Sequence, residues 1–269
     1  SLKESVRGQL ENYLEAEDIV GDRIEFQLRL SFPEKIGIGA ARQLAGEVRK
    51  LWALGEQPIP SLVELLEKKG IRVIEVDEPS RNFDGCQIET HDAIAIGKRG
   101  DQPITRKRFT IAHEFAHVVL NSWCKKHGLA EKDMEKIVNA FASEFLMPAS
   151  ALRSYFVTAR KSITEQELVA VKIQFGVSIG AIVYALNKLG IVGDNAFRRF
   201  QMGFVNTWRK AGREPGDDDV NGLFKEEPSR FQRIVLRGIS EGDISLSRAS
   251  GLLGKDISEL RREAIPMVE

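Results

Sequence analysis

The chain is poor in cysteine: Cys86 and Cys124 are the only two among 269 residues. Two thiols cannot build the disulfide framework of a small secreted fold, so a reducing cytoplasm is the expected setting. Long apolar runs are missing too. No stretch approaches the roughly 18 apolar residues that a membrane helix needs, so no membrane partner is expected. The opening residues Ser1-Leu2-Lys3-Glu4-Ser5 lack the apolar core of a signal peptide. They also lack an initiator Met, which leaves room for an upstream segment of a longer protein. Neither sign of charge dominates. Lys and Arg total 39, Asp and Glu total 39, and the formal net charge is +0, whereas a dedicated nucleic-acid binder carries a basic excess. What is present is ordinary for a globular chain, with 42% hydrophobic and 29% charged residues.

Apolar periodicity supplies the elements. Val6, Leu10, Tyr13 and Leu14 lie at helical spacing within residues 3–18, and Leu44, Val48, Leu51 and Trp52 do the same within 40–54. Pro58 and Pro60 end that connection, and a short helix from Leu62 to Lys69 closes at Gly70. The alternating, β-branched run Ile71–Val76 predicts a strand, and Asp92–Gly97 a second one, placed at a sheet edge. Long helices are expected over Ile104–Asn121 and Glu131–Met147, the latter stopped by Pro148. Further on, Thr164–Glu167 starts a helix, Phe175-Gly176-Val177-Ser178 forms a turn, and Ile179–Leu189 is helical, which is helix-turn-helix grammar. Ala211–Asp219 reads as a linker, and residues 228–263 are helical, with the helix, turn, cap, helix pattern repeated at 252–260. The expected fold is α+β: a compact domain with a small sheet, followed by helix-turn-helix-like regions. Its boundaries are an N-terminal helical segment over 1–35, the core domain over 36–155, and helical regions over 156–210 and 211–269.

One motif carries chemistry. His113-Glu114-Phe115-Ala116-His117 puts two imidazoles one helical turn apart, on one face, where both can bond one ion. Zinc takes imidazole nitrogen readily, and a catalytic site leaves a position for water. The flanking Phe109, Ile111, Ala112, Val118, Val119 and Leu120 predict a buried helix, in which unpaired polar groups would cost about 1–3 kcal/mol each. A third ligand is needed. Glu144 stands among Ala140, Phe141 and Met147, and a carboxylate in such company must be paired or coordinated. Ligation, a salt bridge to Arg106 or Arg108, and a solvated helix edge all remain open on the residues alone.

The segment Arg108–His117, followed by Asn139–Pro148, closely resembles the ImmA/IrrE family of metallopeptidases. Pro58-Ile59-Pro60, Leu62–Leu66, Gly70-Ile71 and Asp84-Gly85 resemble the same family's entry segment. The resemblance implies a zinc-dependent endopeptidase of zincin-like fold with a gluzincin-like site. In it His113, His117 and Glu144 match the metal ligands and Glu114 the general base, with Mn²⁺ or Fe²⁺ as other occupants. It also implies a substrate: family members typically inactivate helix-turn-helix repressors in stress responses or mobile elements. An extended substrate is expected to pair with the strand Asp92–Gly97.

Other features are read more plainly. Cys124 and His127 are a buried thiol and a helix-end residue rather than an auxiliary metal pair, and His91 is placed on the surface. Lys98, Arg99, Arg106, Lys107 and Arg108 read as a solvated rim. No residue is assigned to the oxyanion, Tyr155 being unsupported. The two candidate recognition helices, Ile179–Leu189 and Ile257–Glu263, carry few cations, namely Lys188, Lys255, Arg261 and Arg262, so direct DNA contact is the less favoured reading. The competing function is a DNA-binding or antitoxin-like regulator with a structural or vestigial metal site. Intact Glu114 argues against that, because only catalysis requires it. The amphipathic N-terminal helix is a candidate homodimer contact.

Overall fold

The computed structural model describes residues 2–77, 85–88, 92–97, 102–157 and 162–264. Asp84, His91, Lys98 and Arg99 lie outside the described residues. The elements run α1 (Leu2–Val20), α2 (Ile38–Leu51), α3 (Leu62–Lys68), β1 (Arg72–Val76), β2 (Gly85–Ile88), β3 (Ala93–Gly97), α4 (Ile104–Lys126), α5 (Glu131–Leu146) and α6 (Ala149–Tyr155). They continue with α7 (Glu165–Phe175), α8 (Ile179–Lys188), α9 (Asp194–Phe200), a π-turn at Gln201–Val205, α10 (Asn206–Ala211), α11 (Asp217–Asn221), α12 (Arg230–Glu241), α13 (Leu246–Leu253) and α14 (Ile257–Glu263). Among the described residues no single helix is long and apolar enough to cross a membrane. The chain divides into two interleaved units: residues 1–27, 63–99 and 227–269, and residues 28–62 and 100–226. The sequence boundaries, by contrast, run consecutively.

The first unit holds the sheet, ordered β1-β3-β2. β3 is its central strand, parallel to β1 and antiparallel to β2. This corrects the edge placement expected for Asp92–Gly97 and adds a strand at Gly85–Ile88. The reason is visible in Ala93-Ile94-Ala95-Ile96, an unbroken apolar run of which every residue is buried, as suits a strand covered on both faces. With both flanks paired, β3 has no free edge for a substrate. Val6, Leu10, Tyr13 and Ala16 of α1 join Ile74, Val76, Ala93 and Ala95 of the sheet and Ile234, Val235, Ala249 and Leu252 of α12 and α13 in one core. The apolar stripe of α1, expected as a dimer contact, is therefore covered within the chain. Glu17, fully buried, ties three elements together by pairing with Arg72 of β1 at 2.6 Å and with Arg230 of α12.

The second unit is helical. α4 and α5 pack together, and α5 packs on α2. Phe115 of α4 stands 5.1 Å from Phe145, 5.8 Å from Phe141 and 5.2 Å from Trp52, so aromatic rings fill the seam between the three helices. α7 opens with a reciprocal capping box between Thr164 and Glu167, ends at left-handed Gly176, and is followed by α8 under a Ser178 cap. The two helices meet at 103°, within the helix-turn-helix range. Ala211–Asp219 is not a linker. Lys172, with no exposed side-chain surface, bonds Asp217 at 2.5 Å and Glu214 at 3.2 Å, and Glu214 also accepts from the backbone N–H of Ile179. A buried lysine needs such acids, and the run Gly212–Asp219 is folded against α7 and α8 to supply them.

Candidate metal centre

The helix α4 sets the histidines. Its buried face is Ile111, Ala112, Phe115, Ala116, Val119, Leu120 and Trp123. His113 and His117 stand to one side of it with 19% and 13% of their side-chain surface exposed. The helix is thus not buried all round, as the apolar sequence suggested: the histidine face is open enough for a ligand to enter. Glu114 is buried.

The two imidazoles converge. Their Nε2 atoms are 3.1 Å apart, close to the separation of two nitrogens that share a tetrahedral zinc at about 2.0–2.1 Å each. The carboxylate of Glu135, on α5, reaches both: one oxygen is 3.4 Å from Nε2 of His113 and the other 3.3 Å from Nε2 of His117. These three residues offer ligand atoms all within 4.8 Å of one another, and they form the one such grouping of His, Cys, Asp and Glu among the described residues. Nδ1 of His113 lies 3.0 Å from Oδ1 of Asn139, and Nδ1 of His117 lies 3.0 Å from Oδ1 of Asn121. Burial lowers the pKa of His113, and the neighbouring His117 lowers it further, against the raising effects of Asn139 and Glu135. Two imidazole nitrogens and a carboxylate that converge on one point are a donor set that suits a cation.

The structure brings His113 and His117 together as expected and does not bring Glu144 to them. Glu135 takes the place assigned to Glu144, and the geometry of α5 is the reason. Nine residues at 100° each carry a side chain through two and a half turns, so Glu144 faces away from Glu135 and lies about 13 Å further along the axis. Its Oε1 accepts from the N–H of Ala149 at 2.8 Å, capping α6. It lines a cavity of about 480 Å³ together with Arg49, Lys50, Gly55, Pro148 and Ser150. Burial raises its pKa against the lowering effects of the Ala149 bond, Arg42 and Arg49. Arg49 itself is committed to the carbonyls of Gly55 at 2.9 Å, and of Phe145 and Gln57 at 2.5 Å. The signal that finds Glu135 in the sequence is its i, i+4 spacing to Asn139, which sets an acid and an amide on one face of a helix packed on the histidines.

The remaining candidates are structural. His127 ends α4, its ring nitrogens facing the carbonyls of Trp123 at 2.9 Å and Glu34 at 3.1 Å, and Cys124 is buried. Arg108 is not part of a solvated rim. Its side chain is fully buried, pairs with Glu226, donates to the carbonyl of Ile59 at 2.8 Å and lies 4.1 Å over the Phe224 ring. Tyr155 is 45% exposed, with its ring beside Phe156.

Two histidines one turn apart on a helix, joined by a carboxylate from the helix packed against it, form a grouping that could hold a metal ion, as metallopeptidase sites do. The sequence agrees: residues 66–187 match the model of the IrrE N-terminal-like domain, Peptidase_M78 of the ImmA/IrrE family. No curated protein matches the chain. One solved structure that it resembles is a Mycobacterium tuberculosis transcriptional regulator, at 15% identity and a TM-score of 0.42, over 65% of this chain and 51% of that one. The chain therefore spans about half the length of that protein, a likeness too remote to carry a functional argument.

Proposed function

We propose that the chain is a zinc-dependent endopeptidase of regulatory type, acting in the cytoplasm on a helix-turn-helix transcriptional repressor. The observation that carries the peptidase reading is the convergence of both Nε2 atoms, 3.1 Å apart, on the Glu135 carboxylate. His113, His117 and Glu135 would hold the ion, the neutral imidazoles and one carboxylate being the donor set of many catalytic zinc sites. A bound zinc ion supplies a Lewis acid and a water made acidic near neutral pH. Glu114 takes the proton of the attacking water on its carboxylate and delivers it to the leaving amine nitrogen. The repressor as substrate rests on the family resemblance, and Mn²⁺ is a second candidate metal.

The test has two parts. Metal content is expected near one zinc per chain in wild type and in Glu114→Gln, and lost in His113→Ala and Glu135→Ala. New N-termini within helix-turn-helix repressors are then sought in cells expressing wild type, with Glu114→Gln as the control. A wild type that takes up no metal would sink the proposal.

One observation favours a second reading, a DNA-binding or antitoxin-like regulator. α7 and α8 cross at 103°, and Tyr184 and Lys188 are exposed on the second helix, the lysine 5.3 Å over the tyrosine ring. Salt-dependent binding to duplex DNA that is lost in Lys188→Glu would support it.

A further inference from the structure

We propose that Asn139 and Asn121 are positioning residues of this site, each holding one histidine as its Nδ1–H tautomer so that both Nε2 lone pairs point to the same place. The inference rests on the metal-site reading and concerns how the site is built.

A neutral imidazole carries one N–H and one lone pair, and the group facing one nitrogen decides which is which. An amide oxygen only accepts. With Oδ1 of Asn139 at 3.0 Å from Nδ1 of His113, and Oδ1 of Asn121 at 3.0 Å from Nδ1 of His117, both rings place their hydrogen on Nδ1. The lone pairs are then left on the two Nε2 atoms that stand 3.1 Å apart beside Glu135. The opposite tautomer would turn two N–H groups into the space the ion needs.

The two amides are supplied differently. Asn121 is on α4 itself, four residues after His117, so helix geometry alone delivers it. Asn139 is on α5, four residues after Glu135. One face of α5 thus brings both the third ligand and the group that orients the first, and docking of α5 on α4 completes the site in one step. Either an amide oxygen or a carboxylate would serve as the acceptor. A carboxylate would add a negative charge beside the imidazole, whereas the amide fixes orientation and leaves the ring neutral.

The test starts with histidine ring ¹⁵N shifts of metal-free protein, at a pH of about 9, well above the ordinary imidazole range. Nδ1–H signatures are expected for both histidines in wild type. The signature should be lost at His113 alone in Asn139→Ala and at His117 alone in Asn121→Ala. Zinc affinity, measured by chelator competition, should fall about 10–100-fold in each alanine variant. It should return to within a few-fold of wild type in Asn139→Asp, which keeps the acceptor, while melting of the metal-free forms is unchanged. Nε2–H tautomers in wild type, or full zinc affinity in both alanine variants of a zinc-binding wild type, would overturn the positioning role and leave the peptidase reading standing. A wild type with the expected tautomers and no zinc binding would overturn that reading instead.

Discussion

Glu135 and Asn139 stand one turn apart on α5 and take hold of opposite sides of the same ring: the carboxylate lies 3.4 Å from Nε2 of His113 and the amide oxygen 3.0 Å from its Nδ1. The same face of the same helix therefore sets a carboxylate against one nitrogen of the ring and an amide oxygen against the other. The last acid of the helix, Glu144, is turned to a different task.

That division predicts a contrast between two glutamates. Glu135→Ala should weaken zinc binding by about 100-fold or more, since it removes one of three donors. Glu144→Ala should leave stoichiometric zinc in place. It should instead cost about 0.5–2 kcal/mol of stability, because Glu144 accepts the Ala149 N–H at the start of α6 and sits beside Arg49. Chelator competition and urea denaturation on the two variants separate the roles. Zinc lost from Glu144→Ala and kept in Glu135→Ala would reverse the assignment.

Glu114→Gln should retain zinc and fold as wild type while cleavage falls by about 10²–10⁴-fold or more, the usual scale for removing a general base. Zinc content and a single-turnover cleavage assay on one preparation are sufficient. Cleavage at the wild-type rate would remove Glu114 from the chemistry and leave the metal site intact.

How much of this was legible in the sequence depends on how far each signal reaches. Strand Ile71–Val76, the His-Glu helix and the capped start at Thr164 were readable because alternation, i, i+4 spacing and a cap are local, and the structure places them at Arg72–Val76, Ile104–Lys126 and Glu165–Phe175. β3 as the central strand was not, because Ala-Ile-Ala-Ile looks alike at an edge and in the middle, and pairing with β2 is a non-local event. Glu135 was overlooked for a related reason. In the sequence it stands among Glu131, Lys132, Asp133 and Lys136 and reads as a solvated helix residue, while Glu144 among apolar neighbours looks like the acid in need of a partner. Glu144 does have a partner, the backbone N–H of Ala149 one helix on, with the charge of Arg49 from α2 acting on it, and neither is written in the residues next to it. The acids at Glu214 and Asp217 are structural because Lys172, on α7 earlier in the chain, is buried against them, a non-local contact.

Arg108 and Glu226 form a fully buried pair, and Glu226 also accepts the N–H of Leu62 at 3.0 Å. Removing one partner leaves the other charge buried, so Glu226→Ala should cost about 3–5 kcal/mol, with Arg108→Met/Glu226→Met recovering much of it. Gly176 belongs to the same cluster. Its φ of +63° is left-handed, and a Cβ there would stand 2.6 Å from Nε of Arg108 and 2.9 Å from the Phe224 ring. Gly176→Ala should therefore destabilise by about 1–3 kcal/mol or more. Denaturation midpoints indistinguishable from wild type would show that the cluster relaxes freely.

Glu67 predicts how the first unit responds to pH. Its carboxyl is buried and its pKa is pushed up from 4.5 to about 7, chiefly by that burial, against the lowering effects of the Arg230 and Ser229 backbone N–H groups and of the Arg233 and Arg230 charges. Because the folded value lies above the unfolded one, the folded chain holds the proton more tightly in the interval between them. The contribution of Glu67 is then fully present below pH about 4.5 and is lost as pH rises through about 7. The shift corresponds to about 3 kcal/mol at most. Urea denaturation at pH 5 and pH 8 should show wild type losing more stability on going to the higher pH than Glu67→Gln does, since the amide keeps an acceptor for the Arg230 N–H and has no proton to lose. Equal losses in the two proteins would mean that Arg230 and Arg233 stabilise the Glu67 anion as well as burial disfavours it, and that pH sensitivity arises elsewhere in the chain.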